Sequence, residues 1–161
     1  MTRGPGITNA SIGIHTAQQN SSPMVVFVGQ IATDLRGREA FQEVDYKQVF
    51  GGLAKWVVEI DSADRVPELV SRALTVAQSG RPGPVVVALP EDMLVAQSDA
   101  RVRPAVSPMK PHANPYDAKA IMERLAVAEK PVVVVGGGGW NANGKAALKT
   151  WAEANRLPVV A

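Results

Sequence analysis

Four consecutive glycines, Gly136 to Gly139, follow a valine-rich run and precede a helical pattern. Glycines at such a turn let backbone N–H groups approach a phosphate, and the N-terminus of the following helix favours the phosphate charge. Gly137, Gly139 and Ala142 also satisfy the loose G-x-G-x-x-G/A pattern of dinucleotide-binding turns. Glycine is also common at strand-to-helix turns for geometric reasons alone. The pattern therefore predicts either a nucleotide-binding turn or a plain one.

Arg81 and the pair Phe41-Gln42 are the other candidates for chemistry. Arg81 lies in the stiff turn Gly80 to Pro84. A helix end followed by a loop explains the glycines and prolines of this turn but not the arginine, which is suited to pairing with a phosphate or a carboxylate. Phe41 and Gln42 lie in a polar loop between two predicted strands, where packing and solvation are the ordinary roles of such side chains.

Residue types exclude several common kinds of site. The chain has no cysteine, which excludes disulfides, thiolate zinc sites and cysteine nucleophiles. His15 and His112 are far apart in sequence, and we predict no metal site made by protein ligands alone. Neither a G-x-S-x-G nor a Walker A motif occurs. The formal charge of +2 comes without a Lys/Arg cluster, and no apolar run reaches the roughly 18 residues of a membrane helix. We expect no nucleic-acid and no membrane partner.

Apolar runs and helical patterns alternate along the chain. Valine-rich runs bounded by Gly or Pro suit parallel strands that are covered on both faces. The predicted strands are Met24 to Val28, Trp56 to Ile60, Pro84 to Leu89 and Pro131 to Val135. The predicted helices are 8–18, 62–78, 116–128 and 142–155, the second capped by Asp61 and the first preceded by a turn at Gly4 to Gly6. Such alternation predicts an α/β fold with doubly wound parallel sheets.

The segment 97–114 interrupts this alternation and predicts a linker. It lacks a periodic apolar face, and prolines recur in it and at its end: Pro104, Pro108, Pro111 and Pro115. We expect residues 1–96 to form one α/β piece and residues 115–161 to open a second, with the first three strands in one sheet and the fourth in another. The abrupt start at Met1 and the strand that begins at Leu157 predict an internal piece of a longer protein.

Six segments, taken in order, resemble acetolactate synthase and its relatives among the thiamine diphosphate-dependent enzymes. They are Thr2 to Asn9 (TRGPGITN), Pro23 to Gln30, Ala40 to Glu43 (AFQE), Ser79 to Pro84 (SGRPGP), Leu89 to Asp92 (LPED) and Lys130 to Gly139. Each motif is common by itself, whereas the series is specific and covers essentially the whole chain.

The resemblance implies a domain layout, cofactors and a substrate. Residues 1–96 would be the C-terminal half of the pyrimidine-binding domain, and residues 115–161 would start the flavodoxin- or Rossmann-like central domain that holds FAD in acetolactate synthases. It implies thiamine diphosphate with Mg²⁺, a small 2-ketoacid substrate, a homo-oligomer, a cytoplasmic location and a role of the type found in branched-chain amino-acid biosynthesis. The family's activating glutamate and metal-binding motif would lie outside residues 1–161, so the isolated chain is expected to be inactive.

The resemblance also implies roles for individual residues. Gln42 corresponds to a family glutamine at the active site, and Phe41 to a phenylalanine that lines the same pocket beside the flavin. These two residues are the catalytic candidates, and Gln42 also counts as cofactor-binding. Arg81 corresponds to an arginine that contacts FAD. The other cofactor-binding candidates belong to the cofactor cleft and the flavin turn: Gly4, Pro5, Gly6, Asn9, Gly137 and Gly138.

Two departures from the family pattern bear on the substrate. Glu91 stands where acetolactate synthases usually have lysine, and Ile31-Ala32 stands where they often have Val-Pro. A reversed charge at the mouth of the site changes how anionic 2-ketoacids are attracted. The departures leave open a decarboxylase or carboligase relative with another substrate, with or without flavin. Two further interpretations are a Rossmann-type nucleotide-binding module and a catalytically inert remnant.

Overall fold

The computed structural model describes residues 1–107, 109 and 111–161. Pro108 of the predicted linker therefore lies outside the described residues. The chain separates into two compact units, Met1–Lys110 and Pro111–Ala161. Among the described residues, no helix is both long and apolar enough to cross a bilayer.

The first unit contains a three-stranded parallel sheet. Its strands are β1 (Met24–Gln30), β2 (Trp56–Glu59) and β3 (Pro84–Pro90), in the spatial order β1-β3-β2. Parallel strands need crossover connections, and helices supply them here. All three strands therefore end at the same edge of the sheet, where side chains from β1 and β2 and the loops that follow them come together.

The central strand β3 is covered on both faces. Val86 and Ala88 belong to one buried apolar cluster, and the alternate residues Val85 and Val87 belong to another. The first cluster is completed by side chains of α1 (Gly4–Asn9), α2 (Ser11–Gln19) and α3 (Tyr46–Phe50), and the second by the apolar stripe of α4 (Val66–Gln78). This period-two division between helices on opposite faces confirms the predicted α/β class.

The N-terminal region differs from its prediction in two respects. The Gly4 to Gly6 segment, predicted as a turn, is the first turn of α1, and a break at Ala10 separates α1 from α2. Proline is compatible with this position because its fixed φ suits a first helical turn and its missing N–H has no intrahelical partner there.

The start of α4 also differs from its prediction. Asp61 does not cap the helix; its two carboxylate oxygens accept hydrogen bonds from the Arg65 guanidinium at 3.0 and 2.9 Å. A 3₁₀ turn, Ala63–Arg65, precedes the helix, which begins at Val66 with proline in its first turn.

The second unit is a small βαβ arrangement preceded by a helix. It contains α5 (Pro115–Ala126), β4 (Val133–Val134), α6 (Ala142–Ala154) and β5 (Val159–Val160), and the two strands pair in parallel. The predicted strand from Pro131 to Val135 is thus only two residues long. The final strand is equally short, and Val159 and Val160 are exposed by 41% and 53%.

Candidate functional site

The carboxyl edge of the three-stranded sheet borders a cleft of about 470 Å³ in the first unit. Ligands of open α/β sheets commonly bind outside the carboxyl ends of the strands. The ends of β1 and β2 and part of the segment 36–47 line the cleft. Its polar lining residues include Gln30, Arg36, Glu43, Tyr46 and Glu59.

Gln30, the last residue of β1, has its side chain buried at this edge, with only 3% of the residue exposed. Its Nε2 donates to the Val44 carbonyl at 2.8 Å and to the Glu59 carboxylate at 3.3 Å. Its Oε1 accepts from the Ile31 N–H at 3.0 Å. A buried amide is stable when its donors and acceptor are paired in this way.

Residues 36–45, called here the Phe41 loop, are closed by bonds to their own backbone. The Glu43 carboxylate accepts hydrogen bonds from the N–H groups of Gly37 at 2.6 Å and Ala40 at 3.1 Å. Phe41, predicted from the sequence to line a pocket, lies at the exposed end of the loop with 86% of its surface accessible, and it is not among the described residues that line this cleft. Gln42 has a φ of +69°, a left-handed conformation that costs a non-glycine residue free energy.

Gly4 packs against the Phe41 loop. A Cβ atom at Gly4 would lie 3.3 Å from both the Gln42 carbonyl oxygen and Val44 Cγ2. The structure thus brings two of the predicted site residues, Gly4 and Gln42, into contact. Pro5 and Asn9 are exposed on α1, and Gly6 faces the side chain of Thr2.

Tyr46 is a site residue that sequence reasoning missed. Its hydroxyl donates to the Gly29 carbonyl at 2.8 Å, and burial raises the pKa of its phenol. Tyr46 opens α3, and the Asp45 carboxylate caps this helix by accepting from the Gln48 N–H at 3.1 Å. An acidic residue followed by glutamine three positions later is a helix-start signal that the sequence did contain.

The Leu-Pro-Glu-Asp segment is joined to the ends of other elements. The Glu91 carboxylate pairs with the Arg3 guanidinium at 2.7 Å, so the departure from lysine at this position is accompanied by a nearby positive charge. Asp92 accepts hydrogen bonds from the hydroxyl and the N–H of Thr33, which hold the pKa of its carboxyl below its usual range. The end of β3 is thereby fastened to the residues that follow β1.

Arg81 is bound to the C-terminal end of α2. Its Nε donates to Ser21 Oγ at 2.8 Å, and one terminal nitrogen donates to the carbonyls of Gln18 and Gln19, both at 3.0 Å. The carbonyls of the last helical turn lack i+4 partners within the helix, and together with the negative end of the helix dipole they make this a favourable position for a cation. In the first unit the arginine therefore acts as a helix cap, while the flavin contact stays a prediction.

Arg81→Ala is expected to lower the free energy of unfolding of the first unit by about 1 kcal/mol, because charge-assisted bonds to carbonyls are lost while the exposed guanidinium limits their net value. Urea denaturation measures the effect. Arg81→Lys is the matched variant, since lysine keeps the charge but lacks the planar guanidinium that reaches three acceptors. Its loss of stability should be intermediate. An unaltered midpoint for Arg81→Ala would contradict the capping role.

Gly137 and Gly138 are exposed in the turn between β4 and α6 of the second unit. A Cβ built at either glycine meets no atom within 4 Å, so the backbone of the turn is open to a ligand. A cavity of about 370 Å³ beside the turn is lined by Gly137, Trp140 and Lys145 among others. Asn141 caps α6 by accepting from the Gly144 N–H at 2.8 Å. The glycine turn thus belongs to the second unit, whereas Phe41, Gln42 and Arg81 belong to the first.

Comparison with known proteins places these features in a family context. Residues 1–49 match the family described as thiamine pyrophosphate enzyme, N-terminal TPP binding domain. The acetolactate synthase isozyme 3 large subunit of Escherichia coli is 40% identical over 99% of this chain and 29% of its own length. The probable acetolactate synthase large subunit of Methanococcus aeolicus is 37% identical over 85% of this chain and 24% of its own length. The chain thus spans less than a third of these relatives.

Proposed function

We propose that this chain belongs to the thiamine pyrophosphate enzyme family and supplies the pyrimidine-binding side of the cofactor site in an acetolactate synthase-like enzyme that decarboxylates and joins 2-ketoacids. The observation that carries the proposal is the location of the family match. Residues 1–49 contain α1, β1 and the Phe41 loop, which meet at the carboxyl edge of the sheet. Residues 1–96 are assigned to the C-terminal half of that domain, and residues 115–161 to the start of the central domain.

The residues present fit the pyrimidine half of the cofactor. Gln42 has an amide that can both donate to and accept from ring nitrogens, and it lies on a loop braced from several sides. Phe41 offers an exposed aromatic face to a flat ring. When bound, thiamine diphosphate supplies the carbon centre on which carbon–carbon bonds are broken and made. This chain's own residues hold and orient the ring.

Mg²⁺ and FAD enter the proposal in different ways. No cluster of three metal-ligating side chains occurs among the described residues, so the proposed Mg²⁺ and the diphosphate are assigned to residues outside this chain. For FAD, the open glycine turn at Gly137 and Gly138 is the fitting feature, because exposed backbone N–H groups at a helix N-terminus suit a phosphate. We further propose that the parent enzyme acts on a 2-ketoacid, is a homo-oligomer and is located in the cytoplasm.

Binding of thiamine and of thiamine diphosphate tests the proposal. Because the described residues contain no cluster of metal ligands for the diphosphate, we expect both ligands to bind weakly, with dissociation constants that agree within about threefold, or under 1 kcal/mol. Saturation-transfer NMR should place the contacts on the pyrimidine protons. The chain should form no acetolactate from pyruvate, even with thiamine diphosphate, Mg²⁺ and FAD present.

The outcomes separate the proposal from its two competitors. A Rossmann-type module would bind adenine nucleotides at the glycine turn and show no saturation of the thiamine pyrimidine. An inert remnant would bind none of these ligands. Either result would remove the cofactor-site proposal, and acetolactate formed above the level of a matched blank would overturn the expected inactivity of the isolated chain.

A further inference from the structure

We infer that Gln30 is a positioning residue: its buried amide holds the Phe41 loop in one conformation and so presents Phe41 and Gln42 to the cofactor. The inference rests on the proposed function for the identity of the ligand. The holding role itself stands on the hydrogen bonds and burial of the first unit.

Gln30 joins three elements that are distant in sequence. Its own position is the end of β1, its Nε2 reaches the carbonyl of Val44 at the exit of the Phe41 loop, and the same nitrogen reaches the carboxylate of Glu59 at the end of β2. Glu59 in turn forms an ion pair with Arg36, at the entrance of the loop. Both ends of the Phe41 loop are therefore fastened, directly or through Glu59, to one buried amide.

The backbone of the Phe41 loop is strained, which argues for a role beyond connecting β1 to α3. Glu39 and Gln42 both adopt left-handed backbone conformations, with φ of +54° and +69°. A non-glycine residue in this conformation raises the free energy of the backbone and persists only where the surroundings fix it. Phe41, between them, is left almost fully exposed, so the strain is not offset by burying that ring.

The bonding pattern of Gln30 is suited to this task. An amide that donates twice and accepts once inside the protein leaves little freedom to rotate, because each alternative orientation unpairs a buried group. Apart from Tyr46 with its phenol, Gln30 is also the one buried residue with a polar side chain among the described residues. A side chain serving only to fill the core would be served as well by an apolar residue of the same length.

A spin label on the loop measures the holding role. The chain has no cysteine, so Arg38→Cys, at an exposed loop position, gives a single labelling site. In this background Gln30→Met keeps the length of the side chain and removes its hydrogen bonds. We expect a mobile component in the nitroxide spectrum well below the unfolding temperature, and about a tenfold loss of thiamine diphosphate affinity. Gln78→Met, at an exposed helical glutamine, is the control and should change neither the nitroxide spectrum nor the thiamine diphosphate affinity.

Each outcome decides the inference. An immobile label in Gln30→Met, or a mobilised loop with unchanged thiamine diphosphate affinity, would overturn it. If the parental chain binds no thiamine diphosphate, the proposed function fails while the spectrum alone still decides the holding role. Should Gln30→Met not fold, Glu59→Gln removes the ion pair with Arg36 and is expected to mobilise the label partially. An immobile label in that variant would then count against the network.

Discussion

Phe50→Ala is expected to lower the free energy of unfolding of the first unit by about 3–5 kcal/mol. Phe50 is fully buried, with 0% of its surface exposed, and it packs in the cluster that contains Ile7, Ile14 and Val86. Its ring centroid lies 6.3 Å from that of Tyr46 at a tilt of 41°. Removing the ring leaves a cavity where α1, α2 and α3 meet the sheet, and the surrounding helices can fill it only in part.

Val49→Ala is the matched control for this prediction. Val49 is the neighbouring residue of the same five-residue helix and is 42% exposed, so its truncation should change stability by no more than about 0.5 kcal/mol. Urea unfolding followed by fluorescence measures both variants. Equal losses in the two variants would show that the effect arises from the helix as a whole and not from the buried ring.

The sheet of the first unit was predictable because its strands are buried on both faces. Such strands read as unbroken valine-rich runs, and Pro84 to Leu89 is the clearest of them. In the structure that run is the central strand β3, which packs on both sides. Strand ends were less predictable: β1 continues through Gly29 to Gln30, because the residue that ends the strand is polar and its burial depends on partners elsewhere in the chain.

The parts that sequence reasoning missed depend on distant contacts. The helix α3 has five residues, too few for a periodic apolar face, and its burial is decided by packing against the sheet. Arg81 was recognised as a cation on a stiff turn, but residue type cannot say which acceptor it meets. In the structure the acceptors are Ser21 Oγ and the carbonyls of Gln18 and Gln19, sixty or more residues earlier. Gln30 ends the segment Pro23 to Gln30, yet no neighbouring residue indicated that its amide reaches Val44 and Glu59.

Gly4→Val is expected to lower the free energy of unfolding by roughly 2–3 kcal/mol and to displace the Phe41 loop. A Cβ at this position would already lie 3.3 Å from the Gln42 carbonyl oxygen and from Val44 Cγ2, and two further methyl groups need space that the loop occupies. The loop cannot simply move away, because Val44 is held by Gln30 and Glu43 fixes the loop's own backbone. The strain is therefore shared between helix α1 and the loop that carries Gln42.

A graded series separates this contact from the ordinary cost of replacing glycine. Gly13→Ala, in α2, introduces a methyl group that meets no atom within 4 Å and should stabilise the protein by about 0.5–1 kcal/mol, since alanine favours a helix more than glycine does. Gly4→Ala should be close to neutral, because the same gain is offset by the tight contact with the Gln42 carbonyl. Gly4→Val should be the one variant that also mobilises a spin label at position 38. If Gly4→Val is instead as stable as Gly4→Ala, the close approach of α1 to the loop is not what requires glycine there, and the loop is less firmly held than its hydrogen bonds indicate.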